Sequence, residues 1–341
     1  MEQYDVIIIG AGPGGLNCAK ILGAAKKKVL LLEKNPEIGP KICAGGLTRK
    51  SYSYLNLPPD LIEHAYAELV FNAPHVKTII KFPQHYFYTI DRKKIGQWQL
   101  SKLDKNYVTV RTSATVTQIT RDHIEINHSE KIGYTTLVGA DGSASIVKRY
   151  LKLKSDLIGV AIQYLLPTEK YKKFELFFDS NSFSAWYSWI FPHQNYVSIG
   201  YGYPAKRLSP QIMEKNFFCW LEKNQIDISQ AKREAFPINC DYQGFKFGNI
   251  FLLGDAAGLA SGFTGEGIYQ ALVSGEDVAR TILDKKHKPE KISAVLHERN
   301  YHHFLLRIVA FSGPLRNIVF DFVAICVKNK LLSRTLVRIL S

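Results

Sequence analysis

The chain is 341 residues long, 46% hydrophobic, and carries 44 Lys and Arg against 30 Asp and Glu, a formal charge of +14. That length and apolar content suffice for a large buried core in about two domains, in the range of soluble α/β proteins. Five cysteines, Cys18, Cys43, Cys219, Cys240 and Cys326, form no CxxC pair. This argues against a disulfide framework or a zinc site, so no metal is expected, and it suits a reducing cytoplasm. The basic residues are spread along the chain with no nucleic-acid-binding motif, so nucleic acid is not an expected partner. The N-terminus, MEQYDVIIIG, has no basic leader and an apolar run only a strand long, so neither a signal peptide nor a membrane anchor is expected there.

The stretch Tyr4 to Lys34 reads as a βαβ unit. An apolar β-branched run, Val6 to Ile9, suits a buried parallel strand, and the next apolar run is Val29 to Leu32. Between them lie Gly10-Ala11-Gly12-Pro13-Gly14-Gly15 and a small-residue helix to Ala25. Gly10 permits the tight turn, Gly12 lets backbone approach a pyrophosphate, and Gly15 lets helix and strand pack closely. Glu33 ends the second strand where a carboxylate would accept from a ribose hydroxyl, so an adenine dinucleotide is expected. Lys26-Lys27-Lys28 is a solvated cap that complements the helix dipole.

Pro36 to Lys50, PEIGPKICAGGLTRK, reads as a loop that puts Cys43 on flexible backbone. Residues 51–110 are mixed, with strand signals at Glu68 to Phe71 and Thr78 to Phe82. Thr109 to Thr120 and His123 to Asn127 alternate like a hairpin, and Tyr134 to Val138 is a strand running into Gly139-Ala140-Asp141-Gly142-Ser143. Long aromatic strands follow between Asp156 and Tyr203. In one, Tyr187, Trp189 and Phe191 share a face by the period of two, either to floor an apolar pocket or simply as core. Met213 to Lys223 reads as a surface helix and Asn249 to Leu253 as a buried strand. Gly254-Asp255-Ala256 and Gly265-Glu266-Gly267 then precede a helix running from Ile268 to Ile282, a second anion site.

Gly10-x-Gly12-x-x-Gly15 with Glu33, then Gly139-Ala140-Asp141-Gly142, then Gly254-Asp255-Ala256, resemble in order the three flavin motifs of the p-hydroxybenzoate hydroxylase superfamily, over roughly Tyr4 to Leu283. Tyr187-x-Trp189-x-Phe191-Pro192 resembles the YxWxFP motif of the geranylgeranyl reductase family, and Lys41-Ile42-Cys43-Ala44-Gly45-Gly46 is similar to its Cys-Gly-rich loop. Two positions depart from that pattern: His193 stands where the family often has lysine, and Ala44 where it has glycine.

The resemblance implies FAD and an α/β fold: a Rossmann-like FAD-binding domain of the glutathione reductase or p-hydroxybenzoate hydroxylase type, an inserted, mainly antiparallel β substrate domain, and a C-terminal helical tail. The FAD domain is expected over 1–72, 92–155 and 240–296, the substrate domain over 73–91 and 156–239, and the tail over 297–341. The cofactor residues implied are Gly10, Gly12, Pro13, Gly14, Gly15, Glu33 and Lys34 in the first motif; Lys41, Ala44, Gly45 and Arg92 beside it; Ala140, Asp141 and Gly142 in the second; and Gly254, Asp255, Ala256, Gly265, Glu266, Gly267 and Ile268 in the third. Glu33 would meet the adenosine ribose and Asp255 the ribityl chain or diphosphate. Cys43, Tyr187, Trp189 and Phe191 are the catalytic candidates, Cys43 as proton donor or as packing residue.

Such a site implies hydride transfer from reduced FAD to a prenyl double bond, with NADPH or NADH as electron donor, although no second nucleotide fingerprint is present. Within the same fold the alternative is an aromatic monooxygenase or a halogenase, and outside enzymes a flavin-binding sensor or scaffold. Against a halogenase, Trp186-Tyr187-Ser188-Trp189-Ile190-Phe191-Pro192 is not a WxWxIP pattern. The tail, His297 to Ser341, interleaves apolar residues with Arg307, Arg316, Lys328, Lys330, Arg334 and Arg338. It is read as helices that either pack on the FAD domain, cover the pocket, or lie on an anionic membrane surface, giving a cytoplasmic protein with peripheral membrane association. Gly313-Pro314 and Asp321 argue against a membrane span.

Overall fold

The computed structural model describes residues 1–206 and 208–328. The tail residues Lys330, Arg334 and Arg338 lie outside the described residues.

The first strand, Glu2–Ile9, is buried through Val6, Ile7 and Ile8 because parallel neighbours flank it on both edges. Val6 to Ile9 pair with Val29 to Leu32 on one side, and Glu2 to Ile9 with Ile132 to Gly139 on the other. Further parallel pairing adds Val108–Arg111 at one edge and Ile250–Leu252 at the other, and the antiparallel strands Val116–Ile119, His123–Ile126 and Lys246–Phe247 complete an eight-stranded sheet. The alternating run after Thr109 therefore divides: Val108–Arg111 joins the parallel edge, and only Val116–Ile119 and His123–Ile126 form the hairpin. Helices Pro13–Ala24 and Ile268–Leu283 pack on one another, and small residues let them approach closely. A Cβ on Gly14 would lie 2.5 Å from the Ala271 carbonyl oxygen, and one on Gly275 2.4 Å from that of Gly14.

A second, seven-stranded sheet runs Lys232–Asn239, Ile158–Leu166, Val197–Pro204, Ser188–Pro192, Glu175–Phe177, Glu68–Asn72, Lys77–Lys81. All its pairs are antiparallel except Glu175–Phe177 with Glu68–Asn72. One face packs Tyr201, Tyr164 and Ile199 against Phe217 and Trp220 of helix Pro210–Lys223. The side chains of the opposite face, spaced two apart along each strand, turn toward the first sheet.

Pro36 to Lys50 is not loop throughout: Gly46–Thr48 pairs with Phe87–Ile90, which also carries Ile62–Tyr66, because the buried Leu47 and Thr48 need backbone partners. Helix Glu290–Phe311 turns by 104° into Gly313–Cys326. Arg316 holds the bend by donating to the carbonyls of Val309 (2.9 Å) and Ala310 (2.8 Å), which the first helix leaves unpaired at its end. The terminal helix, Arg316–Cys326, docks on the second sheet: Thr78 donates to the Ala324 carbonyl at 2.7 Å, and Asp321 accepts from the His75 backbone at 2.9 Å. Among the described residues no single helix is long and apolar enough to cross a membrane.

Candidate functional site

A cavity of about 320 Å³ lies where the two sheets and the terminal helices meet. Its glycine-rich wall is the end of the first sheet. There Gly12, Pro13 and Gly14 open the helix Pro13–Ala24, and no side chain caps its first turn, so its N–H groups are left to a ligand. Gly10 turns the chain into it at φ +103°, with a Cβ position only 2.4 Å from the Ala140 oxygen, so glycine is required. By contrast, a Cβ on Gly12 or Gly142 would meet nothing within 4 Å, which leaves these backbones approachable. Gly254, Asp255, Gly265, Glu266, Gly267 and Ile268 complete this wall at the start of Ile268–Leu283, again without a side-chain cap. Two uncapped helix starts separated by open glycine backbone fit the diphosphate and ring system of a flavin dinucleotide.

The side chains around them are set by identifiable contacts. Arg92 reaches the cavity from the first turn of Arg92–Ser101, whose N-cap Asp91 accepts from Lys93 N at 2.7 Å. Lys41 lies 3.5 Å from the Asp255 carboxylate, tying the cysteine loop to the third glycine motif. Glu266 accepts a 2.7 Å hydrogen bond from the Thr48 hydroxyl, and burial raises its carboxyl to about 7. Ala140 also lines the cavity.

Several sequence candidates do not line it. The Glu33 carboxylate accepts from Ala11 N (3.1 Å) and Asn35 N (3.0 Å), bracing the end of its strand beside the glycine turn. Lys34 is exposed, and the backbones of Gly10, Gly15 and Ala256 support the wall from behind. Asp141 accepts from Ile146 N at 2.7 Å as a cap, and burial raises its carboxyl.

The opposite wall is aromatic. Tyr187, Trp189 and Phe191 all line the cavity, as the period-two spacing predicts. Trp189 is seated by a hydrogen bond to Ser198 Oγ (3.0 Å) and by Gly200, where a Cβ would lie 2.3 Å from its ring. Phe191 stacks on Phe174 with centroids 3.8 Å apart, and Phe174 on Phe87 at 5.0 Å. The Tyr187 hydroxyl donates to the Thr264 carbonyl, and burial, then the Glu266 charge, pushes its pKa up. Cys43 and Ala44 form the rim between the two walls, and Cys43 is the one cysteine that lines the cavity. Phe71, on Glu68–Asn72, and Phe174 and Phe178, at the two ends of Glu175–Phe177, escaped sequence reading because each signals only buried strand. Val319, Phe320 and Val323 close the apolar end, so the tail covers the pocket rather than packing only on the first sheet.

Residues 4–156 match the family model described as pyridine nucleotide-disulphide oxidoreductase. The chain is 32% identical over 301 residues to an uncharacterized protein of Methanosarcina barkeri, spanning 83% of this chain and 75% of that one. It is 26% identical over 355 residues to digeranylgeranylglycerophospholipid reductase 1 of Methanosphaera stadtmanae, spanning 94% and 86%. Among solved structures, a geranylgeranyl bacteriochlorophyll reductase-like protein of Thermoplasma acidophilum superimposes with a TM-score of 0.81 at 21% identity, over 97% of this chain and 92% of that one, a likeness of fold.

Proposed function

Because the chain belongs to the geranylgeranyl reductase family of FAD-dependent oxidoreductases, we propose that it saturates carbon–carbon double bonds of a prenyl-type hydrophobic substrate. The observation that carries this reading is one cavity with a glycine-built dinucleotide wall, an aromatic wall, and an apolar end made by the terminal helix. When bound, FAD supplies the hydride, replenished by NADPH or NADH. Gly12, Gly14 and Gly142 would hold the diphosphate against backbone N–H groups, with Asp255 and Arg92 beside it. We keep Glu33 as a ribose candidate and assign 1–72, 92–155 and 240–296 to the cofactor portion, 73–91 and 156–239 to the substrate portion. Tyr187, Trp189 and Phe191 exclude water and press the alkene into position, and Cys43 stands on the cavity rim as the candidate proton donor or as a packing residue.

The half-reactions test this under anaerobic stopped flow, with dithionite reducing the flavin and a geranylgeranyl lipid reoxidising it. Trp189→Ala is expected to keep FAD while slowing alkene-driven reoxidation by about 10- to 100-fold through lost positioning. Cys43→Ser should slow the same step and spare dithionite reduction. Reoxidation of wild-type protein by oxygen but by no prenyl compound would favour the monooxygenase alternative, and wild-type rates in both variants would make the thiol and indole structural.

We propose further that the outer face of the terminal helices rests on an anionic membrane surface, where such a substrate would reside. Phe311 is 87% exposed, and Phe304, Leu315, Ile318 and Phe322 are exposed beside it, on the same helices that close the cavity. Phe311→Ser with Phe322→Ser is expected to weaken vesicle binding by about tenfold or more, since burying each ring stabilises by about 1.5–3 kcal/mol. Vesicle flotation with anionic lipid checks this, and added salt should weaken the intact protein too. Equal flotation of both forms would remove the membrane reading.

A further inference from the structure

The most unusual polar group outside the cavity itself is His193, whose ring is fully buried. Its Nδ1 lies 2.5 Å from Glu63 Oε2 and its Nε2 lies 2.9 Å from the Ala44 carbonyl oxygen. The Ala44 carbonyl can only accept, so Nε2 carries a proton and donates, and the Nδ1–Glu63 contact shares one proton between ring and carboxyl. The ring also stacks on Tyr196, with centroids 4.3 Å apart.

The backbone is bent to make this pair. Glu63 sits at a register shift in its strand, between Ile62 opposite Ile90 and His64 opposite Thr89, and such a bulge re-aims one side chain out of the pleat. Ala44 is the residue after Cys43, and three successive carbonyls of this rim are each held by a different element. Gln163 Nε2 donates to the Cys43 oxygen at 3.3 Å, His193 to that of Ala44, and Ile90 N to that of Gly45 at 3.1 Å. Gly45 at φ +72° leaves room for the imidazole, since a Cβ there would lie 2.3 Å from His193 Cε1.

We propose that Glu63 and His193 form a clamp that fixes the Cys43–Gly45 rim against the cavity, with His193 as a positioning residue for the reaction and Glu63 positioning His193. A buried polar pair of this kind is a strong determinant of geometry, because removing one partner leaves the other buried without its hydrogen bond. By engaging Nδ1, Glu63 fixes the ring orientation in which Nε2–H meets the Ala44 carbonyl, and so holds that carbonyl in place.

The deciding measurements use the FAD-loaded full chain without substrate, so their failure is distinguishable from failure of the prenyl reading, on which only the reoxidation measurement rests. Hydrogen exchange of the amides at 44–47, and the rate of Cys43 alkylation by iodoacetamide followed by peptide mass spectrometry, are compared in wild type, His193→Phe, Glu63→Ala and His193→Lys. Both His193→Phe and Glu63→Ala are expected to accelerate exchange and alkylation by about 10- to 100-fold, as leaving a buried hydrogen-bonding group unsatisfied implies. The acceleration should be confined to the rim, and His193→Lys, a cation with three donors, should restore much of the protection. Alkene-driven flavin reoxidation should slow in step with it while dithionite reduction stays unchanged. Wild-type rim exchange in either folded, FAD-bearing variant overturns the clamp. So does acceleration spread evenly over the seven-stranded sheet, or a lysine variant as loose as the phenylalanine one.

Discussion

Gly14→Val is expected to empty the protein of flavin and to destabilise it. The Cβ alone would stand 2.5 Å from the Ala271 carbonyl oxygen and 2.6 Å from Leu253 Cδ1, and the first of these is backbone that no rotamer change can move. Relieving the overlap means parting Pro13–Ala24 from Ile268–Leu283, the two helices whose starts form the dinucleotide wall. Overpacking of this kind costs about 1–3 kcal/mol, and the branched side chain adds to it. The ratio of flavin to protein absorbance after purification and the midpoint of denaturant unfolding check both halves. A variant that keeps wild-type flavin content would mean that the helix starts do not hold the diphosphate.

The βαβ unit was legible because its determinants are local: β-branched run, glycines, helix and second strand all fall within about 30 residues, the scale on which such units close. The aromatic face of Tyr187, Trp189 and Phe191 was legible for the same reason, since a strand's period of two needs no tertiary partner. What could not be read depends on distant pairing. Nothing near His193 announces Glu63, 130 positions earlier, and the acid reaches it only through a bulge. The tail's apolar residues gave no sign of which face turns inward. Val319, Phe320 and Val323 enter the cavity wall while Ile318 and Phe322, one position away, are exposed. The Glu33 carboxylate also accepts from the N–H groups of Ala11 and Asn35, contacts that a spacing argument cannot see and that leave each oxygen a further acceptor site.

Glu266 was expected among the cofactor residues of the third glycine motif, and its carboxyl carries a pH effect that falls in the neutral range. Burial lifts it to about 7, against hydrogen bonding from Thr48 and the nearby charge of Lys50. In the unfolded chain a glutamate titrates near 4.3, so between these two values the folded protein binds the extra proton. Stability from this group is therefore full below about pH 4 and is lost as pH rises toward 7. Glu266→Gln keeps an acceptor for Thr48 and removes the titration. It is expected to match wild type at pH 4 and to exceed it at pH 8 by as much as about 4 kcal/mol, the equivalent of the shift. Urea unfolding at the two pH values reads this directly. The same substitution bears on the site, because a carboxyl that holds its proton near neutrality on the cavity wall can keep that wall uncharged beside an apolar substrate. If the stability of Glu266→Gln follows wild type across the whole pH range, the carboxyl is ionised and hydrated in the folded protein, and that wall carries a charge.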